Sequence, residues 1–181
     1  IATVLAAVKT LKETGEAVRL DILGPVSLSG LIVDSPQIYK AFRKDRASLD
    51  RFLGAVEARI AAYITEGVAS GADILSFADP TGAMDIVGDK FYREISGPSA
   101  YRILKQVEER LGNVIVHLCG KTSMAMESVG LLEACRVKAE GMSYGEAVIN
   151  LKNSSPAVRY VGHGCMKSKG QIQELVCCTL K

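Results

Sequence analysis

His117 and Cys119 stand two positions apart in Val114-Ile115-Val116-His117-Leu118-Cys119, the clearest strand-type run of the chain, bounded by Gly112-Asn113 and Gly120. Side chains at i and i+2 of a strand point to one face. A neutral imidazole and a thiolate are the ligands zinc prefers, at about 2.0 and 2.3 Å. Cys165, also just past a strand-type run, is the natural third ligand. Three protein ligands with a displaceable fourth position make a catalytic zinc site, whereas a closed cage of four is structural. On its own a His-x-Cys pair is more often a packed strand with a hydrogen-bonded histidine than a metal site.

The elements that must position these residues alternate between short strand-type runs and longer helical ones. Strands are expected over 17–23, 74–78, 114–119, 136–140 and 158–161. Helices are expected over 36–69, broken near 46–49, over 89–110, interrupted at Gly97-Pro98, and over 124–132 and 171–180. Ser143 with Glu146 three residues on is a capping-box pattern opening a helix to Lys152. Strand, long helix, strand implies right-handed crossovers and a parallel sheet. Asp79, His117, Cys119, Glu140, His163 and Cys165 all fall where strands end, the end that carries chemistry in barrels and open α/β sheets. Five strands are too few for an eight-stranded barrel, so the barrel is incomplete in this chain or the sheet is open.

The totals set outer limits. A chain of 181 residues, 48% apolar and 23% charged, makes one domain with a real core, spanning 1–181. A formal net charge of +2 gives neither the basic stripe of a nucleic-acid binder nor a polybasic membrane patch. No apolar run reaches the roughly 18 residues of a membrane span. Five cysteines without a signal-like start read as a reducing, cytoplasmic setting. The chain opens at Ile1 within a helical pattern that runs to Thr14, as a chain cut from a longer one would.

Four segments occur in a telling order: Gly24-Pro25-Val26-Ser27-Leu28; Gly71-Ala72-Asp73 with Asp79; Val116-His117-Leu118-Cys119-Gly120-Lys121-Thr122; and Val161-Gly162-His163-Gly164-Cys165. Together they resemble the uroporphyrinogen decarboxylase superfamily over nearly the whole chain. The His-x-Cys pair with a late Cys is similar to its methylcobamide:thiol methyltransferase branch, of which the coenzyme M enzymes are best known. The resemblance implies an α/β chain forming the C-terminal part of a (β/α)8 barrel, from the third strand onward, with the N-terminal strands lacking. It implies a zinc ion on His117, Cys119 and Cys165, with Glu140 in the displaceable fourth position. It places Asp79 in the pocket as a catalytic and substrate-binding group, and His163 beside the substrate. Only 25 positions separate Glu140 from Cys165, where the family fits a helix, a seventh strand and another helix.

The activity so implied moves a methyl group from a methylcobamide, held by a partner corrinoid protein, to a small-molecule thiol such as coenzyme M. Zinc deprotonates the thiol and leaves it nucleophilic. The alternatives are a metal-free decarboxylase-like enzyme, in which Asp79 binds substrate, and a catalytically incomplete fragment. Unpaired sheet edges would draw either a second copy of the chain or an associated N-terminal fragment.

Overall fold

The computed structural model describes residues 1–181. Helix α1 (Ala2–Glu13) leads to strand β1 (Arg19–Leu23), which ends at Gly24-Pro25 and turns into the short helix α2 (Pro25–Ser29). Helices α3 (Ser35–Lys44) and α4 (Arg46–Ala69) follow. The break between them is at Asp45, whose side chain caps α4 by accepting from the Ser48 N–H at 3.1 Å. Strand β2 (Ile74–Ala78) is followed by short helical turns, a π-type segment (Tyr92–Ser96) and helix α5 (Gly97–Val107). The expected interruption at Gly97-Pro98 is therefore absent, and the irregular turn precedes it. Strand β3 (Ile115–Leu118), helix α6 (Gly120–Ser128), strand β4 (Leu132–Ser143), helix α7 (Tyr144–Ser154), and strands β5 (Tyr160–Gly162) and β6 (Gln171–Leu180) complete the chain. The capping box of Ser143 and Glu146 forms at the start of α7.

The strands make one six-stranded sheet in the order β1-β2-β3-β5-β6-β4. β1, β2, β3 and β5 are parallel, and β6 runs against both of its neighbours. One expectation is corrected by this arrangement. Residues 171–180 form a strand, not a helix, because nine of them find ladder partners on β4 while β5 pairs with the other edge. The sheet is consequently mixed at that edge; its first four strands are parallel as expected, and it is open, one of the two forms the strand count allows. The strand expected over 136–140 runs over 132–143 and lies at the outer edge, with the short β5 beside β3.

Alternation sorts the side chains onto two faces. Leu20, Ile22, Leu75, Phe77, Val116, Leu118 and Tyr160 point to one face, where they join Ile60 and Ile64 of α4, Ile103 and Leu104 of α5, and Met126 of α6 in the main core. On the opposite face Ile74, Ile115, Val161 and Leu175 pack against Tyr144, Ala147 and Val148 of α7. That helix packs over β3, β5 and β6 and leaves the same face of β1 exposed, with Arg19 and Asp21 paired at 2.9 Å on it. A cleft remains there.

Candidate functional site

The cleft has a volume of about 350 Å³ and lies at the C-terminal ends of the parallel strands, within the size range of small-molecule pockets. His117, Cys119 and Cys165 all line it, with Arg19, Asp21, Ser76 and Lys167. The strand register explains the grouping. Asp21, Ser76, His117 and Val161 are successive partners across β1, β2, β3 and β5, so they share one face. Cys119 continues the β3 ladder through its N–H to the Phe77 carbonyl at 2.9 Å, then begins α6.

His117 is 2% exposed, and both ring nitrogens are engaged. The Ser76 Oγ lies 3.1 Å from Nδ1, and the Gly164 carbonyl 3.2 Å from Nε2. Burial holds the imidazole's pKa below its ordinary value, against the opposing pull of the Gly164 carbonyl. The ring is thus neutral, with Nε2–H donating to Gly164 and the Ser76 hydroxyl donating to Nδ1. The Gly164 carbonyl also accepts from the Gly120 N–H at 3.1 Å, which ties the loop of Cys165 to the start of α6. A Cβ at Gly164 would collide with the Tyr144 ring.

The other expected residues lie elsewhere. Asp79 is 4% exposed and turned away from the cleft. Its oxygens accept from the Ser27 and Val26 N–H groups at 2.7 and 3.2 Å, capping α2. Burial raises its carboxyl above the usual range, only partly offset by these donors. A Cβ at Gly24 or Gly82 would overlap Asp79, so the carboxylate is walled in by glycine backbone. His163 adopts a left-handed φ of 58° and turns its Nε2 to within 3.0 Å of Glu127 Oε2 on α6, outside the cleft. Glu140 is exposed on β4, three inter-strand steps, or about 14 Å, from β3. It cannot supply a fourth ligand beside His117 in this sheet.

Sequence reasoning missed Ser76, Tyr144, Arg19 and Lys167. Ser76 had a readable signal, being the single hydroxyl in the run Ile74-Leu75-Ser76-Phe77-Ala78. Tyr144 had none, since its place over His117 depends on where α7 packs.

The donor chemistry fits zinc: one neutral imidazole and two thiols on the walls of a single cleft. All five cysteines are free thiols, and no three His, Cys, Asp or Glu side chains converge as a ligand group in this structure. Nε2 of His117 would have to release Gly164 to bind a metal.

Comparison with known proteins places the chain among relatives. It is 28% identical over 126 residues to the methylcobamide:CoM methyltransferase MtbA of Methanosarcina mazei, covering 68% of this chain and 37% of that protein. It is 31% identical over 62 residues to MtbA of Methanosarcina acetivorans, covering 34% of this chain and 18% of that protein. The fold resembles a solved methyltransferase from Methanosarcina mazei with a TM-score of 0.59 at 18% identity, over 84% of this chain and 46% of that one. The chain thus spans less than half the length of each of these relatives. No helix is long and apolar enough to cross a membrane. The pattern of one family runs through residues 1–173, cleft loops included, and the chain belongs to the uroporphyrinogen decarboxylase (URO-D) family.

Proposed function

We propose that this chain carries the thiol-activating part of a zinc-dependent methyltransferase, which moves a methyl group from a methylcobamide on a partner corrinoid protein to a small thiol of the coenzyme M type. The observation that carries this reading is that His117, Cys119 and Cys165 all line one cleft. The parallel segment β1, β2, β3 with its crossover helices corresponds to the later strands of a (β/α)8 barrel, and the region from β4 onward is remodelled.

His117, Cys119 and Cys165 would hold the zinc. When bound, the ion supplies Lewis acidity that keeps an incoming thiol deprotonated at neutral pH. The protein's own share is proton placement and orientation. If Nε2 gives up its proton and its bond to Gly164, Nδ1 takes the proton and donates to Ser76, whose hydroxyl can accept as readily as it donates. Arg19 is paired with Asp21, and Lys167 brings the remaining positive charge to the same cleft, which suits a thiol with an acidic tail. The bare side of β1 leaves the cleft open to a corrinoid carrier. A metal-free decarboxylase using Asp79 is less well supported, because that carboxylate is buried and spent on capping α2.

Metal analysis of the purified chain tests the reading. About one zinc per chain is expected, lost in Cys119→Ala and kept in Cys177→Ala. Equal zinc content in the two variants would remove the assignment.

A further inference from the structure

Cys135 and Cys177 belong to no part of the cleft, yet they face each other directly in the β4/β6 ladder. Residues opposite one another in an antiparallel pair carry their side chains on the same face. The Lys181 N–H donates to the Leu131 carbonyl at 3.1 Å, and this fixes the alternation of the ladder. Counting inward by twos, Cys135 and Cys177 make a hydrogen-bonded pair, whose Cα atoms stand about 5.5 Å apart. A disulfide needs Cα atoms roughly 4.4–6.8 Å and Cβ atoms roughly 3.5–4.5 Å apart. A hydrogen-bonded pair meets the first and holds its Cβ atoms at about 5.5 Å, so closing the bond draws the two strands together locally and leaves it readily reduced. Cys135 is exposed and Cys177 half-buried, so one thiol of the pair meets solvent and the other is partly shielded. The neighbouring Cys178 faces Ala134 and Tyr160 instead, and is buried.

We propose that Cys135 and Cys177 form a thiol–disulfide modification site, oxidised by small-molecule disulfides to a cross-strand bond that pins edge strand β4 to β6. The exposed Cys135 thiolate attacks one sulfur of the incoming disulfide, forming a mixed disulfide and expelling one small thiolate. Cys177 then loses its proton, attacks the Cys135 sulfur, closes the internal bond and expels the second thiolate. Two protein thiols become one disulfide, and one small disulfide becomes two thiols. Burial first, and then the facing Cys135, raise the Cys177 thiol above its ordinary pKa, so the opening attack falls to the exposed Cys135 and Cys177 reacts only once the mixed disulfide sits beside it. Cys178, pushed up to about 12, stays inert.

The bond would bear on the cleft through position. Asp21, Ser76, His117, Val161, Cys177 and Cys135 form one register row across all six strands. β4 runs directly into α7, whose first residue, Tyr144, packs on His117. A bond at Cys135 therefore bears on the root of the helix that covers the site, through the irregular stretch between Lys138 and Met142. The proposal does not depend on zinc or on methyl transfer.

The test incubates the reduced, full chain with glutathione disulfide and maps its cysteines by digestion and mass spectrometry. A peptide pair joined through Cys135 and Cys177, two hydrogen masses lighter than the reduced pair and restored by reductant, is the expected result. Cys177→Ser should instead accumulate glutathione on Cys135, whereas Cys178→Ser should still close the bridge. Thermal unfolding of the oxidised wild type should shift upward and return on reduction. Stable glutathione on Cys135 of the wild type would overturn the proposal. So would a bond joining Cys135 of two chains, or oxidation confined to Cys119 and Cys165.

Discussion

The ring of Tyr144 stands edge-on to the imidazole of His117, with centroids 5.5 Å apart and planes at 74°. Its hydroxyl donates to the Gly162 carbonyl at 3.1 Å, and burial raises its pKa, so it remains a protonated donor. α7 thus closes over the candidate ligand through one side chain. Tyr144→Phe keeps the ring and loses one hydrogen bond, at a cost of about 1 kcal/mol. Tyr144→Ala empties the space above His117 and Gly164, at a cost of roughly 3–5 kcal/mol. Urea unfolding checks the magnitudes, and the His117 ring-proton resonances check the contact. They should move in the alanine variant and stay near the wild-type positions in the phenylalanine one. Equal destabilisation by both substitutions would show that ring packing is not what holds α7 there.

Asp79 gives a prediction that separates structure from chemistry. Its two oxygens take the N–H groups of Ser27 and Val26, both donors, at the start of α2. Asp79→Asn replaces one acceptor with an amide donor that faces a donor. The expected loss is about 1–3 kcal/mol, seen as a lower thermal midpoint. Zinc content should be unchanged, because the carboxylate lies outside the cleft. Loss of zinc in a variant that is still folded would return Asp79 to the site.

Local patterns carried much of this structure. The strand at 74–78, the helix break beside Asp45 and the capping box of Ser143 all depend on a few neighbouring residues and could be read from them. His117 and Cys119 could be placed on one face because strand periodicity is local, and Cys165, expected near them from its place after a strand, lines the same cleft. Residues 171–180 failed because Ile172, Leu175, Val176 and Leu180 are spaced as a helix would space them, and only Cys178 and Leu180 keep a strand's alternation of burial. Their state is decided by β4 and β5, distant in sequence. Glu140 failed for the same reason. Strand order sets its distance from His117, and periodicity does not encode strand order. Asp79 sits at a strand end as expected, but the close approach of Gly24 and Gly82 turns it inward.

Asp73, just ahead of β2, is 5% exposed and joins both ends of the chain's helical cover. Lys12 of α1 reaches its two oxygens at 2.8 and 2.9 Å, Lys152 of α7 lies 2.9 Å away, and the Val18 N–H donates at 2.9 Å. Burial alone would raise the carboxyl, but Lys12, the Val18 N–H and Lys152 together outweigh it and hold its pKa below the ordinary value. The folded-state pKa is therefore below the unfolded value of about 3.9. Stability from this group is fully present above that value, and it is lost as pH falls through the folded pKa. In Asp73→Asn the Lys152 side chain, 12% exposed, is left without its carboxylate, whereas Lys12 at 44% can turn to water. The variant should lose roughly 2–4 kcal/mol near neutral pH. Below about pH 4 the gap between variant and wild type should narrow, because the wild type sheds the same charge. Urea midpoints measured across this range decide the matter. Two curves that stay parallel into strong acid would mean that the Asp73 charge does not hold α1 and α7 to the sheet.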